Sequence, residues 1–230
     1  MMDYSPLLSD CKPLEIFRKD KSEGELSHAY ALFGDDPAAM EWILREMVRI
    51  AVCAKGGCGA CSACRELDGG VHPDVRFYDD RLDVHDVNEL IEDCAKYSVE
   101  GGLKVYVIFQ LDKTLAPAQN KLLKTVEEPP EGVLFLFGII KPAAVAETLK
   151  SRCKKLYYTG VEQSVLEKAL TEAYGENDNS LSAAAYAGRN IYRGLKFAAD
   201  DEIAMAAANI ISRLGRKQKS SDNRGEPAPL

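Results

Sequence analysis

Four cysteines close together are the residues of this chain best suited to bind a metal. Their spacing, Cys53-x4-Cys58-x2-Cys61-x2-Cys64, lets four thiolates close a tetrahedron around zinc. Such a site is closed to substrate, so we expect structural zinc, with an iron–sulfur cluster or four free cysteines in a flexible loop as the alternatives. His72, in VHPD, is a candidate to replace one cysteine, although a role in the turn from helix to strand is favoured.

A second stretch, SHAYALFGDDPAAMEW at 27–42, has the outline of a strand that runs into a loop and then a helix. Many nucleotide-binding proteins hold phosphate in such a loop, using glycines, a lysine and a serine or threonine. This loop has almost none of these residues. The sequence therefore raises the question of whether a phosphate site has been lost here.

Strands and helices alternate along the chain as far as residue 160, and only helices follow. This alternation predicts an α/β domain with a parallel sheet and helices on both of its faces. The predicted strands are 30–33, 74–78, 104–109, 133–139 and 154–158. The predicted helices are 14–26, one that begins at Pro37, one that begins after Asp83, 115–128, 142–151, 162–174, 179–187 and 190–214. We thus expect an α/β domain at 1–160 with the cysteine module at 53–72, a small helical domain at 161–215 and a disordered tail at 216–230.

The net charge and the apolar content of the chain argue against some classes of function. The net charge of −7 argues against a chain that grips duplex DNA through its own bulk charge. The longest apolar run, VLFLFGII at 133–140, is far shorter than a bilayer span, and the N-terminus does not have the pattern of a signal peptide. We therefore expect a cytoplasmic protein, in which an odd count of seven cysteines fits reduced thiols.

The order of five motifs resembles one protein family. HAY, the four cysteines, HPD, PAQNKLLKTVEEPP (117–130) and SRC (151–153) occur together. This set is similar to the delta-prime subunit of the bacterial DNA polymerase III clamp loader, within the gamma/tau and delta-prime group of AAA+ proteins, over about residues 20–200. The resemblance implies a P-loop NTPase-like AAA+ module of five parallel strands followed by a helical lid. It also implies a role in loading the sliding clamp onto primed DNA.

Comparison with the nucleotide sites of active relatives predicts a degenerate site in this chain. Gly34 remains from the phosphate loop, but Met40 falls at the lysine position and Glu41 at the hydroxyl position. After the strand KVYVI, Phe109 and Gln110 stand where the resemblance implies acidic residues that hold magnesium. We therefore expect this chain neither to hydrolyse nor to bind ATP.

The SRC motif is intact. The resemblance implies that Arg152, flanked by Ser151 and Cys153, acts as an arginine finger on ATP held by a neighbouring subunit. A guanidinium suits this role because it is always charged and binds phosphate oxygens in a bidentate manner. The alternative is an ordinary surface arginine at a helix end. Glu127 and Glu128 are interpreted as helix-surface charges, and Cys153 as a packing residue.

The resemblance thus predicts a non-catalytic, stator-type subunit that belongs to a complex with DNA polymerase activity. The expected partners are gamma/tau-type ATPase and delta-type subunits, with the clamp and primed DNA reached through the complex, and no membrane. The alternatives are a weakly active or nucleotide-binding AAA+ ATPase, and a diverged, zinc-stapled paralogue outside replication. The helical collar domain of full-length relatives is expected to be missing from this sequence, through shortening or through loss in its lineage.

Overall fold

The core of the protein is one five-stranded parallel sheet. The computed structural model describes residues 5–79, 81–174, 183–185 and 187–199. The strands lie in the order β2-β3-β4-β1-β5, and every pairing is parallel, which confirms the predicted sheet. Their bounds are β1 Ala29–Phe33, β2 Val75–Tyr78, β3 Lys104–Ile108, β4 Val133–Ile139 and β5 Lys154–Tyr157.

Helices flank the sheet, and local sequence signals set several of their ends. Asp36 is the N-cap of α3 (Pro37–Val52), and Pro37 is the first residue of that helix. Asp83 and Asp86 form a reciprocal capping box at the start of α5 (Val84–Cys94). Gly24 ends α2 in the left-handed conformation, with φ 72°. In the first part of the chain the helices are α1 Ser5–Leu8, α2 Lys12–Glu23, α3 Pro37–Val52, α4 Ser62–Asp68, α5 Val84–Cys94, α6 Ala116–Glu127 and α7 Glu147–Lys150, with 3₁₀ turns at Leu111–Lys113 and Pro142–Ala144.

The three inner strands are buried along their whole length. Every residue of β1, β3 and β4 is buried, whereas in β5 at the sheet edge only Leu156 is buried. Phe135 stacks on Tyr106 and on Phe137, with ring centroids 5.7 and 5.9 Å apart. Continuous apolar runs such as VLFLFGI mark strands covered on both faces, and this pattern is why their positions are readable from sequence.

The prediction of a single helix at 142–151 is wrong. The chain instead forms the 3₁₀ turn, an extended break at Val145, and the short helix α7. Buried Gln119 on α6 fixes this break: its amide donates to the carbonyls of Thr114 and Ala144, and its carbonyl accepts from the Ala146 N–H at 2.9 Å. A helix through this segment would need those same backbone groups for its own hydrogen bonds.

A buried carboxylate anchors the edge strand β5. Asp20 on α2 accepts the Lys154 ammonium at 2.8 and 2.6 Å and the Tyr30 hydroxyl at 2.6 Å. Burial acts to raise the pKa of Asp20, but the bonds from Lys154 and Tyr30 outweigh it and hold that pKa below its usual value. The start of β5, immediately after the SRC motif, is therefore fixed to the body of the sheet.

The chain divides into two compact units between Thr159 and Gly160. In the second unit, α8 spans Gln163–Tyr174 and α9 spans Ile191–Ala199. The Val161 N–H donates to the Arg189 carbonyl at 3.0 Å, which ties the start of this unit to the turn before α9. The remaining parts of the predicted helical domain (175–182, 186 and 200–215) and the predicted tail (216–230) lie outside the described residues.

Gly138 in β4 is predicted to be intolerant of any side chain. A Cβ atom at this position would lie 2.1 Å from the carbonyl oxygen of Phe109, which is main-chain and cannot rotate away. We expect Gly138→Ala to lower the free energy of unfolding by about 1–3 kcal/mol through overpacking, measured as a lower urea midpoint. Gly102→Ala, where a Cβ meets nothing within 4 Å, is the matched control; equal midpoints for the two variants would contradict this account.

Candidate functional site

The four cysteines of the predicted metal module do come together, and they are called the thiol cluster below. The sulfur atoms of Cys53, Cys58, Cys61 and Cys64 all lie within 4.8 Å of one another. The Cys53 sulfur is 3.6 Å from that of Cys58 and 3.8 Å from that of Cys61. A tetrahedron with metal–sulfur bonds of about 2.3 Å requires sulfur separations of about 3.8 Å, so the donor set fits zinc.

Two helix ends and a glycine-rich loop bring the sulfurs into place. Cys53 is the C-cap of α3 and Cys61 the N-cap of α4, so the cluster joins consecutive helices. The loop between them needs glycine because Gly56 and Gly57 have φ of 71° and 99°, values that residues with a side chain rarely adopt. The Cys58 N–H points at the Cys53 sulfur at 3.3 Å.

The electrostatics of the cluster favour a bound cation. Burial opposes ionisation of Cys53, but backbone N–H groups of Cys58, Gly57 and Lys55 outweigh it and lower the pKa of this thiol to about 6. Burial and the neighbouring cysteines act in the other direction on Cys64 and raise its pKa to about 12. A bound cation would favour the thiolate form of Cys64 against its burial, and the four sulfurs lie close enough together to bind a metal ion.

His72 does not belong to the thiol cluster. Its Nδ1 accepts the Asp74 N–H at 3.3 Å, and its carbonyl accepts from Val75, so it shapes the turn into β2 as the favoured interpretation predicted. Its buried Nε2 faces the carboxylates of Glu66 and Glu100, 3.8 Å from Glu100. With Nδ1 engaged by the Asp74 N–H, Nε2 is the ring nitrogen that faces these two carboxylates.

The second candidate site is the edge of the sheet where β1, β3 and β4 end, called the nucleotide edge below. At this edge the loop after β1 leads into α3, the position at which a helix N-terminus can bind phosphate. Here the Asp36 side chain is fully buried and accepts the Ala39 N–H at 3.1 Å. The helix N-terminus therefore already has a carboxylate from its own chain.

Met40 and Glu41 also fill the nucleotide edge with contacts of their own. Met40 is buried and packs on Gly34: a Cβ added to Gly34 would lie 3.0 Å from its sulfur. Glu41 accepts from the Arg45 Nε at 3.0 Å, one helical turn along α3. An apolar thioether thus occupies the predicted lysine position, and a carboxylate paired with arginine occupies the predicted hydroxyl position.

An aromatic pair and a guanidinium occupy the region after β3. Phe109 stacks on Phe77 with ring centroids 5.7 Å apart and planes inclined by 5°. The Arg45 guanidinium lies 4.8 Å from the centroid of each ring, an arrangement in which a cation is attracted to both π faces. Sequence reasoning missed Arg45, although its spacing of four residues from Glu41 was a readable signal.

The polar residues after β3 have structural partners. Gln110 precedes the 3₁₀ turn Leu111–Lys113 as its N-cap residue. Asp112, within this turn, accepts the Ile140 N–H at 2.9 Å and so secures the end of β4.

Arg152 is bound within its own subunit. Its Nη1 donates to the Thr148 carbonyl at 2.7 Å, and its Nη2 lies 2.9 Å from a carboxylate oxygen of Glu127, the last residue of α6. The hydrogen bond and charge of Arg152 hold the pKa of Glu127 below its usual value. Glu127 is therefore an ion-pair partner of the SRC motif, which the interpretation as a helix-surface charge missed because the two residues are far apart in sequence.

The flanking residues of the motif make local contacts. The Ser151 hydroxyl donates to the Thr148 carbonyl at 3.1 Å, and the Cys153 thiol donates to the Leu149 carbonyl at 3.3 Å. Burial raises the pKa of Cys153 to about 12, so the thiol stays protonated at neutral pH. These contacts agree with a packing role for Cys153.

Comparison with known sequences places most of the chain within one group of proteins. The profile of the family described as DNA polymerase III, delta subunit, matches residues 10–161. DNA polymerase III subunit delta' of Bacillus subtilis (strain 168) is 27% identical over 204 residues, which cover 86% of this chain and 62% of the relative. DNA polymerase III subunit delta' of Yersinia pestis is 31% identical over a stretch that covers 66% of this chain and 47% of the relative. DNA polymerase III subunit tau of Escherichia coli (strain K12) is 30% identical over a stretch that covers 67% of this chain and 25% of the relative. The chain thus spans less than two thirds of each of these relatives.

Comparison with solved structures identifies the fold. A DNA polymerase III gamma subunit-related protein from Thermotoga maritima aligns with a TM-score of 0.57 at 16% identity, over 81% of this chain and 57% of that chain. A RuvB variant from the same organism aligns with a TM-score of 0.54 at 13% identity, over 86% and 67%. With the parallel five-stranded sheet, these likenesses establish an AAA+-like α/β fold.

Within the part of the chain that the structure describes, no helix combines the length and apolar character that crossing a bilayer requires.

The thiol cluster is predicted to hold one metal ion per chain. We expect Cys61→Ser to abolish stoichiometric metal, measured by plasma mass spectrometry after dialysis, because three thiolates no longer close the site. Cys11→Ser, at a partly exposed cysteine outside the cluster, is the matched control and should retain the metal. Equal metal content in the two variants would contradict the assignment of these ligands.

Proposed function

The chain belongs to the DNA polymerase III delta-subunit family, and we propose that it is a delta'-like, non-catalytic subunit of the clamp loader of that polymerase. In this role it supports loading of the sliding clamp onto primed DNA. Its proposed partners are gamma/tau-type ATPase and delta-type subunits, and it reaches the clamp and DNA through the complex. The cytoplasmic location expected from the sequence stays a prediction.

One observation carries the non-catalytic part of this proposal: the protein's own groups occupy the nucleotide edge. Asp36 caps the helix that would otherwise bind phosphate, and Met40 lies where a lysine would meet the phosphates. Phe109, stacked under Arg45, follows β3 where a metal-binding carboxylate is needed. Added triphosphate would meet the carboxyl groups of Asp36 and Glu41 and would find methionine at position 40 and phenylalanine at position 109, which supports a subunit that works without ATP of its own.

The thiol cluster supports a structural zinc in this subunit. Its four sulfurs fit a tetrahedral ion with no open coordination position, so a bound zinc would neither hold substrate nor activate water. Cys53 and Cys61 would link the end of α3 to the start of α4. The zinc would thereby fix the far end of the helix that begins at the nucleotide edge.

Arg152 is the residue through which this subunit is proposed to act on ATP held by its neighbour. It lies between α7 and β5, in a segment held by Gln119 on one side and by the Lys154–Asp20 ion pair on the other. A rigid segment of this kind can present a guanidinium at a subunit boundary, where it would bind phosphate oxygens in the transition state of hydrolysis. This stator role gives the chain a part in ATP chemistry without a nucleotide site.

Replacement of Arg152 tests this proposal. In a clamp loader reconstituted with gamma/tau-type and delta-type subunits, we expect Arg152→Ala to slow single-turnover ATP hydrolysis at the neighbouring site by about 10³-fold, the lower value for arginine fingers. Arg152→Lys should recover little of the rate, because an ammonium does not reproduce the planar bidentate contact.

Arg81→Ala, at an exposed arginine elsewhere in the first unit, is the matched control and should leave hydrolysis unchanged. Thermal unfolding and metal content of the Arg152 variants should match those of the parent chain, so that a slower rate reports lost chemistry. An unchanged hydrolysis rate in a complex that contains Arg152→Ala would overturn the proposed role.

A further inference from the structure

The ion pair between Arg152 and Glu127 engages the guanidinium of the SRC motif within its own chain. Nη2 of Arg152 contacts the Glu127 carboxylate at 2.9 Å, and Nη1 donates to the Thr148 carbonyl at 2.7 Å. Both terminal nitrogens of the guanidinium therefore have partners in their own subunit. A phosphate oxygen would have to compete with the Glu127 carboxylate, because both are anionic acceptors for the same planar donors.

This ion pair is weak enough for Arg152 to exchange Glu127 for another anionic partner. Glu127 is 55% exposed and Arg152 is 32% exposed, and ion pairs with such access to water contribute little to stability. The Nε–H group of Arg152 is buried and has no hydrogen-bond partner among the described residues. A buried donor without a partner disfavours the present position relative to one in which the guanidinium uses all of its donors.

We propose that Glu127 is a latch that holds Arg152 in a resting position and must yield the guanidinium before it acts on a neighbour's ATP. The inference rests on the proposed finger role of Arg152, which it extends with a regulatory residue. Glu127 lies at the end of α6, and Arg152 lies in the turn that follows α7. A small displacement between these two elements during assembly would release the guanidinium without unfolding either helix.

The latch predicts that removal of the Glu127 charge accelerates the reaction. Glu127→Gln keeps the shape of the side chain and an acceptor oxygen but loses the charge that attracts Arg152. In the reconstituted clamp loader we expect it to raise the single-turnover hydrolysis rate at the neighbouring site about two- to fivefold, the range that corresponds to an exposed ion pair. The KM for ATP should stay unchanged, because the proposed contact of Arg152 with phosphate oxygens is made in the transition state.

Glu128→Gln is the matched control. It makes the same chemical change one residue further on, and Glu128 takes part in no ion pair among the described residues. A clamp loader that contains this variant should hydrolyse ATP at the neighbouring site at the parent rate, which separates release of Arg152 from a general loss of negative charge. The double variant Glu127→Gln/Arg152→Ala should equal Arg152→Ala alone, because the effect of Glu127 passes through Arg152.

The outcomes separate the latch from the function on which it rests. If Arg152→Ala slows hydrolysis but Glu127→Gln matches the parent, the latch is wrong and the finger role stands. If Glu127→Gln slows hydrolysis, Glu127 positions Arg152 instead of restraining it, and the inference is overturned. If Arg152→Ala has no effect, the proposed finger and the latch both fail.

Discussion

The interaction on which the rest of this structure depends is the hydrogen bond from the Ala39 N–H to the buried carboxylate of Asp36. In a P-loop fold the N-terminus of this helix binds phosphate, because its amides have no partners in the helix and its dipole attracts negative charge. Here the Asp36 carboxyl group supplies the acceptor. The N-terminus of α3 is therefore capped by a group of its own chain.

At the nucleotide edge, other positions are also occupied by side chains of this chain. The Arg45 guanidinium lies over the faces of Phe77 and Phe109, so a permanent side-chain cation occupies the region after β3. Asp112 accepts from the Ile140 N–H and thereby secures the end of β4. The carboxyl edge of the sheet is therefore held by side chains of this chain itself. An edge held in this way suits the stator role that we propose.

The strands and the thiol cluster were predictable because their signals are local. Continuous apolar runs identified β3 and β4 to within one residue, and the cysteine spacing identified the four cysteines whose sulfurs come together. The break at Val145 was not predictable, because it depends on buried Gln119, which reaches it from another helix. The ion pair of Arg152 with Glu127 was not predictable from the sequence for the same reason, because it joins the ends of two elements that only the fold brings together.

Equilibrium binding of ATP with magnesium to the isolated chain tests the central claim most directly, since the claim is that this AAA+ fold works with a nucleotide edge filled by protein. Isothermal titration should give no saturable heat at millimolar nucleotide, because Asp36 and Met40 occupy the positions that phosphate and lysine require. Saturable binding with a Kd in the micromolar range, followed by release of phosphate, would contradict the account.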